Sequence, residues 1–389
     1  MVLSSSTPVP TMRLASARSF AYNCHRSSHT EVSGVYKPAV MTRKSPTIND
    51  YTVGWVCALP KEQTAAIAML DELHEDLPRP PKDDNTYTLG RVGRHNVVIA
   101  CLPMGMIGNN SAATVATRMI SAFPSIKFGL MVGIGGGVPP TVRLGDVVVS
   151  APVGEFSGVV QWDFGKAEQG GNFRRIGALS NPPSALLTAL TKLKSKHDLE
   201  NSDIPVYLEE LKKKWPKIAA KYTKSEYLED ILFRDDYNHV ERMSTDGICT
   251  PENVGENEDC LEHEEEDQKD CRYCDRTKVV KRNPRDMQIH YGLIASGNQV
   301  IKDAAFRNKI NKQLGGNVLC FEMEAAGLMN DFRCLVIRGI CDYADSHKNN
   351  NWQEYAAAVA AAFAKEFLSM VPVHEVERLS PMLTSKFSM

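Results

Sequence analysis

The chain has 389 residues, 43% of them hydrophobic, enough for one large core or two small ones. Its 45 lysines and arginines nearly cancel its 47 aspartates and glutamates, which argues against the broad basic surface of a nucleic-acid binder. No apolar run approaches the roughly 20 residues of a membrane-spanning helix, so a soluble protein with neither membrane nor nucleic-acid partner is expected.

Residues 1–50 are rich in Ser, Thr and Pro without an apolar period, and read as a disordered tail. The first thirty residues hold Arg13, Arg18 and Arg26 and no acid, the composition of a mitochondrial transit segment. A plain tail on a cytoplasmic protein is the preferred reading, because no amphipathic helix emerges. The ten cysteines mostly sit in apolar, strand-like runs, the habit of reduced, buried thiols in an intracellular protein.

The folded region begins at Tyr51. Residues 52–59 form a β-rich run, and Pro60, Lys61 and Glu62 then open a helix with Ala65, Ala66, Met69 and Leu70 on one face. A hairpin is expected over residues 87–103, turning at 93–96. Asn109, Asn110 and Ser111 supply capping chemistry for a helix over 112–123. A strand over 128–132 runs into Gly133, Ile134, Gly135, Gly136 and Gly137. Such glycines let backbone N–H groups approach a ligand. They match neither a P-loop nor a GxGxxG fingerprint, and a tight turn accounts for them equally well.

Residues 151–290 are less regular. Helices are expected at 182–199 and 204–221, the second interrupted at Pro216, followed by an acidic run over 252–270. Within and beside that run stand Cys260-x-x-His263 and Cys271-x-x-Cys274. Two such pairs can converge on one tetrahedral zinc ion. Their short separation favours a disordered insertion with free thiols instead, and no cofactor is expected. A strand over 289–297 and a helix over 304–314 restore the alternation, which argues a mixed α/β sheet.

Two apolar runs then end in acids: residues 318–321 in Glu322, Met323 and Glu324, residues 334–340 in Cys341, Asp342 and Asp345. Open α/β sheets keep their ligand sites at the carboxyl ends of strands, and carboxylates are seldom buried without a partner or a task. This stretch is the candidate active site. An Ala-rich helix over 352–371 and a tail over 372–389 complete the chain, giving one domain over 51–371 with a long insertion at about 180–285.

Five blocks carry a resemblance: VGWVCALPKEQTAA (53–66), MVGIGGGVPPTVRLGDVVVS (131–150), YGLIASGNQVI (291–301), FEMEAAGL (321–328) and VIRGICDYAD (336–345). In this order they resemble the nucleoside phosphorylase superfamily. The likeness is greatest to its methylthioadenosine/S-adenosylhomocysteine nucleosidase branch and to nucleoside-phosphorylase-like domains of fungal NLR-type proteins. The resemblance implies a single-domain fold with a mixed central β-sheet flanked by helices. It implies that Asp342 protonates or hydrogen-bonds purine N7 and that Glu324 grips the ribose hydroxyls, with Met323 under the sugar. It also implies that Glu62 positions the attacking water, that Ile134, Gly135 and Gly136 line the sugar, and that Val300 and Ile301 contact the base. Phe321, Glu322 and Cys341 complete the expected substrate-binding set, although Glu322 and Asp345 also read as structural partners of Arg338.

The chemistry suits these residue types. An acid at N7 turns a poor anionic leaving group into a neutral one, help worth ~10²–10⁴ in rate, and for this Asp342 needs a raised pKa. Three positions depart from the nucleosidase pattern. Val300 replaces a stacking aromatic, and Cys341 and Ile134 replace small hydroxyl residues. No arginine follows the first strand or precedes the glycine turn, where phosphorylases of the superfamily hold phosphate. The expected activity is therefore hydrolysis of a purine nucleoside or nucleotide, ATP-like ones included, with water as nucleophile. A phosphorylase or a catalytically weak nucleotide-sensing module is the alternative. Basic residues of the insertion (Lys212 to Lys214, Lys278, Lys281, Arg282, Arg285) offer contacts for a phosphorylated substrate, and read equally well as a solvated face. The resemblance also implies a homo-oligomer.

Overall fold

The computed structural model describes residues 45–170, 172–240 and 271–383; most of the N-terminal tail expected above, with Cys260 and His263, lies outside them. The chain alternates strands and helices from the start: β1 (Val53–Cys57), α1 (Pro60–Ala68), β2 (Glu72–Leu73), β3 (Tyr87–Val92), β4 (His95–Cys101), α2 (Asn109–Ala122) and β5 (Phe128–Gly137). Next come β6 (Val147–Ser150), β7 (Val159–Gln161) and a separate hairpin of β8 (Gly165–Glu168) and β9 (Asn172–Arg175). Three helices follow: α3 (Ser184–Leu199), α4 (Ile204–Lys214) and α5 (Pro216–Tyr222). The last elements are β10 (Ile289–Ser296), α6 (Ala304–Gln313), β11 (Val318–Glu322), β12 (Cys334–Asp342), α7 (Gln353–Met370) and α8 (Val373–Arg378).

The sheet runs β11-β10-β6-β12-β5-β1-β4-β3-β2, with β7 also on β10. It is mixed: β4, β1, β5 and β12 are parallel neighbours, whereas β6 lies antiparallel to β12 and β3 antiparallel to β4. All of β1 and β12 is buried, as expected for strands covered on both faces.

Half of this sheet curls shut, which the sequence pattern did not foretell. β11 pairs antiparallel with β5, Cys320 opposite Gly137 and Phe321 opposite Gly136, so β5, β12, β6, β10 and β11 form a closed ring. The glycines that looked like a turn are the last residues of β5. They are small because β11 passes so close: a Cβ on Gly135 would stand 2.8 Å from the Cys320 sulfur and 3.0 Å from the Phe321 carbonyl oxygen.

Helix α7 supports the sheet from behind. Its alanines are buried almost throughout, and Gly339 of β12 meets it so tightly that a Cβ there would lie 1.9 Å from the Ala356 oxygen. Part of the expected insertion belongs to this core. Leu186, Leu190, Leu193, Ile204 and Leu211 pack with Val359, Phe363 and Phe367 in one cluster. Buried Glu366 fastens the α3–α4 link, accepting from Ser202 Oγ at 2.6 Å and from the Asp203 N–H at 3.0 Å. The chain after Val371, expected as a tail, instead adds α8 and buries Val376 and Met382. Among the described residues no helix is long and apolar enough to cross a membrane.

Candidate active site

Ring closure draws the carboxyl ends of β5, β11 and β12 around one cavity of about 320 Å³. Ile134, Gly135 and Gly136 line it from β5, and Cys341 and Asp342 from β12. Phe321, Glu322, Met323 and Glu324 come from β11 and the turn beyond it. The loop after β10 adds Val300 and Ile301, and α1 adds Glu62. All twelve candidate residues thus reach the same space. Lys61, Lys348 and Gln353 also line it, and sequence reasoning passed over all three.

Glu62 occupies the first turn of α1, facing back toward its start. Its Oε2 accepts the Ala58 and Leu59 N–H groups at 2.7 and 3.0 Å, and its Oε1 accepts the Ile134 N–H at 2.8 Å. Burial raises its pKa, against the pull of Arg338 and these three N–H groups. Gly133 makes room, since a Cβ there would stand 2.3 Å from Glu62 Oε1 and 2.6 Å from Arg338 Nη1.

Arg338, fully buried on β12, is the hub. Its guanidinium forms a very short ion pair with Glu322 and lies 3.5 Å from Glu324 Oε2. Glu322 also accepts the N–H groups of Glu324 and Ala325, at 3.1 and 3.0 Å. Although it lines the cavity, its carboxylate holds Arg338 and shapes the turn. Asp345 does not partner Arg338; it accepts the His347 N–H at 2.9 Å.

Glu324 accepts the Gly108 N–H through Oε1 at 3.2 Å. Burial pushes its pKa up to about 7, with Glu322 and Glu62 adding to the rise and Arg338 opposing it. If this carboxylate accepts sugar hydroxyls, kcat/KM should fall as pH drops through about 7 and the acceptor gains a proton. Glu324→Gln should remove that limb of the profile; a limb that survives assigns it to another group. On stability the sign is opposite. The unfolded chain loses this proton near 4.5 and the folded chain only at about 7, so this group's contribution declines as pH rises between them.

Asp342 differs from expectation. Burial opposes its charge, but the Lys348 ammonium 2.7 Å away and the Ala344 N–H at 2.8 Å outweigh burial and hold the carboxyl below its ordinary value. The raised pKa expected for an acid is therefore absent from this arrangement. Lys348 stands six residues beyond Asp342 in an irregular loop, where no periodic signal could reveal it.

The insertion's basic residues also need correction. Arg285 binds Asp146, Arg282 binds Asp230 and the Tyr343 hydroxyl, and Lys214 donates to the Leu70 carbonyl. None of these three lines the cavity.

Residues 52–207 match the model of the phosphorylase superfamily. An NLR-like (nucleotide-binding leucine-rich repeat) protein of Hyaloscypha variabilis is 45% identical over 352 residues, which cover 88% of this chain and 31% of that protein. The chain thus spans under a third of this relative's length. A 5′-methylthioadenosine/S-adenosylhomocysteine nucleosidase of Mycobacterium bovis is 23% identical over 331 residues, 83% of this chain and 97% of that one. Among solved structures, futalosine hydrolase of Helicobacter pylori is similar at 15% identity and a TM-score of 0.49, covering 82% of this chain and 98% of that one. Over residues 52–207, then, the chain is similar to the phosphorylase superfamily.

Proposed function

We propose that this protein is a purine nucleosidase that hydrolyses the N-glycosidic bond of an adenine nucleoside or nucleotide, ATP-like ones included, and releases the free base. The arrangement of Glu62 carries the reading. A carboxylate offers about four acceptor positions, and backbone N–H groups occupy three of them on Glu62. One is left for a proton of the attacking water, on a base whose pKa burial has raised. Phosphate is poorly served by the same cavity. Its lining cations among the described residues, Lys61 and Lys348, are ion-paired with Glu354 and Asp342. Arg338 is held by Glu322 and Glu324.

In this reading Glu324 orients the ribose hydroxyls, Met323 lies under the sugar, and Val300, Ile301 and Phe321 border the base. Asp342 acts at N7. Entry of the purine displaces the Lys348 ammonium, and burial then dominates, raising the carboxyl's pKa toward that of a competent acid.

The test is base release from adenosine, inosine, methylthioadenosine, AMP and ATP, with and without phosphate. Phosphate-independent adenine release is expected. Release that requires phosphate and yields ribose 1-phosphate favours a phosphorylase, and tight binding without release favours a sensing module. Glu62→Gln should keep KM within a few-fold while lowering kcat by roughly 10²-fold or more. Unchanged kcat removes Glu62 from water activation.

A further inference from the structure

The Cys271–Cys274 pair does have two more ligands beside it, and they are not those its sequence neighbourhood offered. His239 precedes residues 241–270, the cysteines follow them, and His347 comes from the loop after β12. The four ligating atoms lie within 4.8 Å of one another. We propose that His239, Cys271, Cys274 and His347 form a closed, structural Cys2His2 zinc site.

The four sulfur–nitrogen edges have the length a tetrahedral zinc site needs. Zinc bonds of about 2.3 Å to sulfur and about 2.0–2.1 Å to nitrogen require S···N edges of roughly 3.6 Å. The cysteine sulfurs stand 3.8 and 3.4 Å from His239 Nδ1 and 3.6 and 3.7 Å from His347 Nδ1. Four soft or borderline donors sharing one centre, two thiols and two imidazoles, are the set that selects zinc.

The surroundings prepare these donors. His347 Nε2 faces the Tyr237 carbonyl oxygen at 2.9 Å, so it carries the proton and leaves the Nδ1 lone pair for a metal. Its ring stacks on Phe233 with centroids 4.0 Å apart and planes 16° apart. The Val240 N–H donates to the Cys274 sulfur at 3.5 Å, a contact that favours thiolate. A single 3-10 turn, Cys271–Tyr273, presents both sulfurs, closed by the Cys274 N–H on the Cys271 carbonyl oxygen at 3.1 Å.

With all four positions filled by protein, the ion has no open site for substrate and its role is structural. It fastens the two chain segments flanking residues 241–270 to the loop that carries Lys348 toward Asp342. His239 reinforces the link by donating its N–H to Ser346 Oγ at 3.0 Å. The site is independent of the proposed hydrolysis.

The test is metal analysis of the full chain purified under reducing conditions. About one zinc per chain is expected, and cobalt substitution should give the visible absorption of a tetrahedral thiolate site. The Cys271→Ser/Cys274→Ser and His239→Ala variants should lose the zinc, whereas Cys260→Ser/His263→Asn should keep it. Wild-type protein without zinc, with these cysteines as free thiols or joined in a disulfide, overturns the proposal whatever the variants do. Loss of zinc from Cys260→Ser/His263→Asn but not from His239→Ala overturns it in favour of the neighbouring pair.

Discussion

Replacing Asp342 by Asn should lower kcat by about 10²–10⁴-fold while nucleoside affinity changes by no more than a few-fold. The amide keeps an oxygen for the Ala344 N–H and fills the same volume, so the end of β12 has no reason to move. What it lacks is a proton to give to purine N7. Lys348 loses its anionic partner, but its side chain is 23% exposed and remains solvated, so folding should be spared. Single-turnover base release and titration of the same variant with nucleoside separate chemistry from binding. Full turnover by this variant would remove Asp342 as the acid, and a large loss of affinity would make it a binding group instead.

The second large effect concerns stability. Arg338→Met keeps most of the side-chain volume but strips the guanidinium from Glu322 and Glu324, both buried. Breaking one side of a buried ion pair costs about 3–5 kcal/mol, a fall in Tm of roughly 4–7 °C for a folded region of this size. The loss should shrink as pH is lowered, because the orphaned carboxyls can then bind protons. Glu322→Gln in the same background should recover part of it, a non-additivity that marks direct coupling. Calorimetry at two pH values reads all three effects. An unchanged Tm in Arg338→Met would mean the cluster rearranges and Arg338 is no hub.

What the sequence disclosed follows the physics of each signal. Acids that interrupt apolar runs are conspicuous, because a strand end must bring them near the core; Glu324 and Asp342 stood out for that reason. Period and capping chemistry located most helices within a few residues, α6 and α7 among them. Ring closure was hidden, because antiparallel pairing of β11 with β5 leaves no periodic trace beyond a cluster of glycines with several other uses. Beyond Glu324 the chain makes a 3-10 turn over Ala325–Gly327. There Gly327 presses on α2 so closely that a Cβ would lie 2.0 Å from the Asn109 oxygen. Lys348 and His347 sit in an irregular loop, and what they touch is decided by tertiary structure alone. The two histidines near Cys271 are 32 and 76 residues from it in sequence, beyond any spacing rule.

The Arg338 cluster has one more consequence. A single guanidinium faces three buried carboxylates, Glu62, Glu322 and Glu324, so when all are ionised the protein's own charges leave an excess of negative field beside the proposed sugar position. A neutral nucleoside gains little from such a field. A sugar losing its base becomes cationic and gains more with each increment of bond cleavage, which is the differential stabilisation that accelerates a reaction. The same field pushes a polyphosphate away from the ribose, leaving the cavity mouth as its favoured place. The wall behind the sugar would then set both the speed of bond breaking and the direction in which a nucleotide's tail must lie.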